Sequence, residues 1–177
     1  MSKIKYQIVA TGFGGQGTVF LVKLLSICAL HNGVECLGTE NHGMSQRGGT
    51  VVTDIKIGDF YTPVISLAQA NLMIGLHPEE ALRVVQYLSP SGAIVVNAGK
   101  DFPKLNHPTY RLDAFHLAEK GVFNIQALNI FMLGFAISHV SDFPFSVREI
   151  EGAIYEINPK IAPMNLEVFH LGLSQSP

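Results

Sequence analysis

A single Rossmann-like α/β domain, with a mostly parallel sheet, helices on both faces and a helical C-terminal third, is the fold predicted for these 177 residues. Three observations predict it. An apolar run at residues 4–11 leads straight into a glycine cluster and then a long apolar helical stretch, the strand–turn–helix opening of a parallel βαβ unit. Further short apolar runs alternate with a helix-like segment up to residue 112, and after it four helix-like stretches follow with no linker, repeat or low-complexity segment. Residues 1–177 are therefore read as one domain.

The first strand holds Ile8, Val9 and Ala10, without the polar alternation of a half-exposed strand, so it reads as buried. Residues 16–32 carry Val19, Phe20, Val22, Leu24, Leu25, Ile27, Cys28 and Leu30, apolar around most of a helix that should be covered on more than one side. Asn32-Gly33 ends it, with Gly33 placed for a left-handed cap. Residues 34–39 form a second strand, parallel to and beside the first in a β-α-β unit. Residues 40–49 have neither period and carry three glycines, hence an ordered loop at the sheet's edge. Residues 50–57 alternate Val52, Asp54 and Lys56 with Val51, Thr53, Ile55 and Ile57, predicting a half-exposed strand closed at Gly58-Asp59. Strands at 72–76 and 93–96 flank a helix at 78–88 that opens with Pro78, Glu79 and Glu80, acidic residues suited to a helix N-terminus. A last strand at 110–112 precedes helices at 114–120, 125–139, 147–157 and 164–171.

Composition narrows the function. Twelve basic and fourteen acidic residues give a net charge of −2 with no long run of either sign, which argues against nucleic acid and anionic lipid as partners. Charged residues are 15%, against about 25% in typical soluble domains, which reads as a subunit with partners, although a tightly packed α/β domain would look similar. Cys28 and Cys36 form no C-x-x-C pair for zinc or an iron–sulfur cluster and read as reduced thiols. The first residues lack the pattern of an export signal, and residues 125–140 fall short of the roughly 20 that a membrane span requires, so the expectation is a cytoplasmic protein.

The glycine cluster Thr11-Gly12-Phe13-Gly14-Gly15-Gln16-Gly17 contains G-x-G-x-x-G between strand and helix. Such glycines permit a tight turn and close approach to a diphosphate, while the helix N-terminus attracts the anion, which is binding chemistry rather than catalysis. Three readings fit. The glycines serve only helix–strand packing, or they bind NAD, or they hold another phosphate-bearing ligand or border a partner's cofactor. An NAD site also calls for an acidic residue at the end of the second strand, and Glu35 and Glu40 bracket that position without occupying it.

In the second glycine-rich segment, Arg47 is followed by Gly48 and Gly49 and preceded by Ser45 and Gln46, a backbone and guanidinium able to clamp an oxyanion, although spacing alone slightly favours an ordinary glycine-rich turn with a solvated arginine. Gly12-Phe-Gly-Gly-Gln-Gly17, together with Asn41-His-Gly-Met-Ser-Gln-Arg-Gly-Gly-Thr50, resembles the gamma subunits of 2-oxoacid:ferredoxin oxidoreductases, and its H-G-M-x-Q-R-G-G is most similar to the beta subunit of indolepyruvate oxidoreductases. The resemblance extends through Gly75-Leu-His-Pro-Glu-Glu-Ala-Leu82, Asn124-Ile-Gln-Ala-Leu-Asn129 and Asn158-Pro-Lys160 to Asn165. It implies a complex that oxidatively decarboxylates a 2-oxoacid with thiamine diphosphate, passes electrons through iron–sulfur clusters to ferredoxin and delivers the acyl group to coenzyme A. Thiamine diphosphate and the clusters are implied in alpha, beta and, where present, ferredoxin-like delta subunits. No cofactor is expected to be tightly bound by this chain, and no catalytic or metal-ligating residue is assigned to it. Gly12, Gly14, Gly15, Gln16, Gly17, Ser45, Gln46, Arg47, Gly48 and Gly49 are the residues expected at a shared coenzyme A edge.

The chain departs from the widespread P-x-x-R-G-G form of the loop, having Met44-Ser-Gln-Arg-Gly-Gly49, so pyruvate, branched-chain 2-oxoacids, 2-oxoglutarate and indolepyruvate all stay open. A free-standing NAD- or nucleotide-binding protein and a non-enzymatic nucleotide sensor or scaffold are the alternatives. Of seven histidines, His42 and His77 adjoin glycine-rich or strand-end segments, where a ligand contact is conceivable, though ordinary surface or core roles fit all seven. Met44, an apolar side chain amid polar neighbours, suggests a contact across a subunit boundary.

Overall fold

The computed structural model describes residues 4–42 and 49–177, and everything below refers to them. Along the chain run β1 (Lys5–Phe13), α1 (Thr18–His31), β2 (Cys36–His42), β3 (Thr50–Gly58), β4 (Ala70–Gly75), α2 (Pro78–Arg83), β5 (Leu88–Asn97) and β6 (Thr109–Leu112). Then come α3 (Ala114–Glu119), α4 (Leu128–His139), α5 (Val147–Ile157) and α6 (Ala162–Leu173). The strands form one sheet in the order β2-β3-β1-β4-β5-β6. β4, β5 and β6 extend from β1 in parallel register, while β3 runs antiparallel to both β1 and β2. Apart from β3 the strands share one direction, so the mostly parallel sheet expected from the sequence is found.

Its neighbours differ from expectation on one side. β2 is not beside β1, because β3 lies between them. β3 itself is no half-exposed strand: Asp54 is 3% and Lys56 6% exposed. The chain after β3 crosses that face and buries Ile65 there, whose N–H donates to Asp54 Oδ2 at 3.0 Å, while Lys56 Nζ lies 5.1 Å from the Phe60 ring centre. Loss of water raises the Asp54 carboxyl above its ordinary range, despite the opposing Ile65 hydrogen bond and Lys56 charge. Residues 40–42, expected in the loop, extend β2.

α1 packs Leu21, Leu24, Leu25 and Cys28 inward and ends in a Schellman motif. Gly33, at φ 63°, donates to Leu30 O at 3.1 Å and Val34 N–H donates to Ala29 O at 3.0 Å. Against the same sheet face, Phe131 and Phe135 of α4 and Phe169 of α6 are fully buried in the larger core. These two helices approach backbone to backbone, since a Cβ at Gly134 would strike Phe169 O and one at Gly172 would strike Phe131 O. The other face carries a smaller core of Val9, Met73, Ile94 and Val96 under Ala81 and Val84. The helix expected at 78–88 stops at Arg83, and a 3-10 turn, Val85–Tyr87, leads into β5.

Candidate functional site

β1 and α1 meet at a turn that holds itself in shape. Gln16 N–H donates to Phe13 O at 3.1 Å, and Phe13 N–H donates to Gln16 Oε1 at 2.7 Å. Gly12 leaves room for that folded glutamine, because a Cβ there would lie 2.5 Å from Gln16 Oε1 and 3.1 Å from Leu76 Cβ. Gly17 serves a second purpose: its φ of 85° lies in the left-handed region, and any side chain on it would collide with Asn129. Asn129, from the first turn of α4, donates Nδ2–H to Gly17 O at 3.1 Å and fixes the turn from behind.

Gly14 and Gly15 face outward. Gly15 has φ 95°, is exposed, and would offer open space even to a Cβ. Gly14 N–H donates to Gly49 O at 2.9 Å, so the first turn and the end of the second glycine-rich segment touch. Ser45, Gln46, Arg47 and Gly48, and Met44 with them, lie outside the described residues. The first N–H groups of α1 lack intrahelical partners, and Gly17 as N-cap supplies no side-chain cap. Exposed glycine backbone in front of an uncapped helix N-terminus with no acidic residue in its first turn is a local environment that suits an oxyanion.

The turn also sits where the chain reverses its direction of travel across the sheet. From β1 the chain crosses to β2 on one side, and the later strands β4, β5 and β6 add on the other. Ligands of open α/β sheets bind in the crevice at such a point, beyond the carboxyl ends of the strands. His77 follows β4, the parallel neighbour of β1, and packs against the glycine turn. Its ring centre is 4.4 Å from that of Phe13 and 6.0 Å from that of Phe115, and its Nδ1 is buried without a hydrogen-bond partner.

The expectation that Gly14 and Arg47 emerge from neighbouring parallel strands is corrected by β3. The carboxyl ends of β1 and β2 are two strand spacings apart, roughly 9.5 Å, instead of one. The same insertion moves Glu40 away from a ribose-binding position, and its Oε2 lies 3.0 Å from His42 Nε2. Sequence reasoning missed Asn129 as a support of the turn. Its spacing from Gly17 is 112 residues, and no local pattern marks it.

Among the described residues, no group of three or more His, Cys, Asp or Glu side chains is placed to hold a metal ion. Cys28 and Cys36 are free thiols, and burial, with a contribution from Glu149, pushes Cys28 up to about 12, which keeps it from acting as a nucleophile near neutral pH. No described helix is long and apolar enough to cross a membrane.

A family model described as pyruvate ferredoxin/flavodoxin oxidoreductase matches residues 7–175. The indolepyruvate oxidoreductase subunit IorB of Thermococcus kodakarensis is 32% identical over 96% of this chain and 95% of its own. The IorB subunit of Archaeoglobus fulgidus is 29% identical over 98% of this chain and 96% of its own. Pyruvate synthase subunit PorC of Methanocaldococcus jannaschii is 30% identical over 82% of each. Among solved structures, the gamma subunit of a keto/oxoacid ferredoxin oxidoreductase from Geobacter sulfurreducens gives a TM-score of 0.76 at 21% identity, covering 94% of this chain and 95% of its own. A 2-oxoglutarate:ferredoxin oxidoreductase from Magnetococcus marinus, with 2-oxoglutarate, coenzyme A and succinyl-CoA bound, gives 0.79 at 16% identity, covering 98% of this chain and 31% of that longer one. At such identities the structural likeness concerns the fold.

Proposed function

The chain belongs to the pyruvate ferredoxin/flavodoxin oxidoreductase family, and from that premise we propose that it is the gamma-type subunit of a thiamine diphosphate-dependent 2-oxoacid:ferredoxin oxidoreductase, contributing a coenzyme A edge and subunit contacts. One observation carries the reading. The two glycine-rich segments that mark the family resemblance meet through the Gly14–Gly49 hydrogen bond, in front of the uncapped N-terminus of α1. Backbone donors there, with the guanidinium of Arg47, suit the phosphates of coenzyme A. In this reading Gly14, Gly15, Ser45, Gln46, Arg47 and Gly48 meet the ligand, while Gly12, Gln16, Gly17 and Gly49 hold the turn that presents it.

We assign thiamine diphosphate, which would supply the electron sink for decarboxylation, and the iron–sulfur clusters to alpha, beta and delta-type partner subunits, and no residue of this chain is assigned to hold them. Ferredoxin takes the electrons, and the complex works in the cytoplasm. Similarity to IorB subunits favours an indolepyruvate-type 2-oxoacid over pyruvate. A free-standing NAD-binding role fits less well, because β3 separates Glu40 from the first turn.

The test is turnover. The purified chain alone should reduce neither ferredoxin nor a viologen dye with any 2-oxoacid, and activity should appear only once the co-purifying subunits are added back. Dye reduction by the single chain would overturn the subunit reading.

A further inference from the structure

Between the first turn of α1, the start of α4 and α6 lies a cleft of about 430 Å³. Its walls are apolar, from Phe20 of α1, Ile130 of α4, Val168 of α6 and Phe123. Phe123 is fixed there by a parallel stack on Phe131, with 4.2 Å between ring centres and 7° between planes. The polar lining is carboxamide: Asn129 and Asn165 are 5% and 7% exposed, and Asn124 and Gln126 stand at the surface. Glu167, itself exposed, is the one charged side chain of the lining.

Around the opening the surface is apolar too. Val122, Ile161 and Met164 line it, and with Ile125, next to Asn124 in the chain, they are between 41% and 57% exposed. Exposed apolar side chains scattered singly need no explanation, but a cluster of them around a cleft marks a contact with another macromolecule. A small molecule filling the cleft would leave that rim in water. The chains that this one resembles are named as subunits, so another chain of the same complex is the occupant that fits.

The lining dictates what that chain presents. A carboxylate would meet Glu167 and no cation. An aliphatic side chain would leave buried amides without partners, at a net cost. Asn129 gives its Nδ2–H to Gly17 O at 3.1 Å, so its Oδ1 is the atom left to accept. A group that donates along its edge, packs flat against rings and carries positive charge answers the amide oxygens, the phenylalanine walls and Glu167 together. The guanidinium of arginine does so at the end of an apolar stem, whereas the ammonium of lysine is a strongly hydrated point charge with no flat face. Arginine is also among the side chains that anchor protein interfaces in well-packed pockets.

We propose that the cleft between α1, α4 and α6 is a socket for an arginine side chain presented by a partner chain of the complex. The assignment rests on the subunit reading above and extends it by naming the surface and the anchoring group. Met164 stands on the rim at 57% exposure, so it can be changed without entering the core. Two experiments test the socket. In the first, benzoylphenylalanine replaces Met164, the assembled complex is irradiated, and the crosslinked peptides are identified by mass spectrometry. In the second, binding of the co-purifying subunits is measured for Met164→Lys and Met164→Glu.

The crosslink should fall on a partner subunit, close in sequence to an arginine. Met164→Lys should weaken subunit binding by about tenfold or more, as loss of an anchoring contact does, and Met164→Glu, polar but of opposite charge, should weaken it less. Crosslinks only to a second copy of this chain, or none in an assembled complex, overturn the socket and leave the subunit reading standing. So does a crosslinked partner segment without arginine, or a glutamate variant that binds no better than the lysine one. A crosslinked arginine segment in a complex that oxidises no 2-oxoacid upholds the socket and removes the assigned activity. A chain that binds no other subunit overturns both.

Discussion

Gly17 combines a left-handed backbone with a neighbour, Asn129, that leaves no room for a side chain. Gly17→Ala therefore combines backbone strain with displacement of the amide that holds the turn, at a cost of about 2 kcal/mol. Chemical denaturation should show that loss, and an unchanged midpoint would mean that the turn relaxes freely. The need for glycine here was legible in G-x-G-x-x-G; its reason, an asparagine on a distant helix, was not. Asp54 was misread for a related cause. Alternation along a strand records polarity, but cover over the polar face came from the chain around Ile65, which carries no periodic signal. Its folded pKa is raised, so its contribution to stability is fully present below the unfolded carboxyl pKa and is lost as pH rises through the folded one. Asp54→Asn keeps an acceptor for the Ile65 N–H and removes the titration. The fall in denaturation midpoint on raising pH from the acid range towards neutrality should be smaller in the variant; an identical pH profile would rule Asp54 out as its source.

α5 begins at Val147, where the sequence predicted it, and the structure closes that start with a capping box. Ser146 Oγ accepts from the Glu149 N–H at 3.4 Å, and Glu149 Oε2 accepts from the Ser146 N–H at 2.7 Å. Ser146→Ala should cost about 1 kcal/mol. The same contacts, led by the Ser146 hydroxyl, hold the Glu149 carboxyl below its ordinary range. That contribution is present above the unfolded carboxyl pKa and fades as pH falls through the lowered one, so the alanine variant should lose less stability on acidification. Parallel acid titrations of both proteins by circular dichroism check this, and coincident acid limbs would contradict it. α4 and α6 show what element-scale reading leaves out. Their helical periods were visible, yet their contact through Gly134 and Gly172 depends on two glycines 38 residues apart meeting each other's backbones.

At the scale of the whole molecule, the β-α-β opening correctly signalled a parallel sheet, since an apolar strand, a glycine turn and an apolar helix leave few other arrangements. It could not signal the reversed β3. A strand inserted between β1 and β2 is joined to β2 by the segment containing residues 43–48, and neither its direction nor its neighbours follow from local pattern. That insertion shapes the proposed site, because it separates Glu40 from the turn while bringing Gly49 to Gly14. The relatives this chain resembles are named as subunits, and in the proposed reading the remainder of the site lies in partner chains of the complex. Its edge is best probed there. In the reconstituted complex, Arg47→Ala removes a guanidinium from the proposed phosphate contacts while leaving the turn's own hydrogen bonds in place. The measurement is the KM for coenzyme A with and without that substitution. A rise of roughly tenfold, equivalent to about 1.4 kcal/mol, with decarboxylation of the 2-oxoacid less affected, is the predicted result. Unchanged coenzyme A dependence together with failed subunit assembly would contradict it and make Arg47 an interface residue.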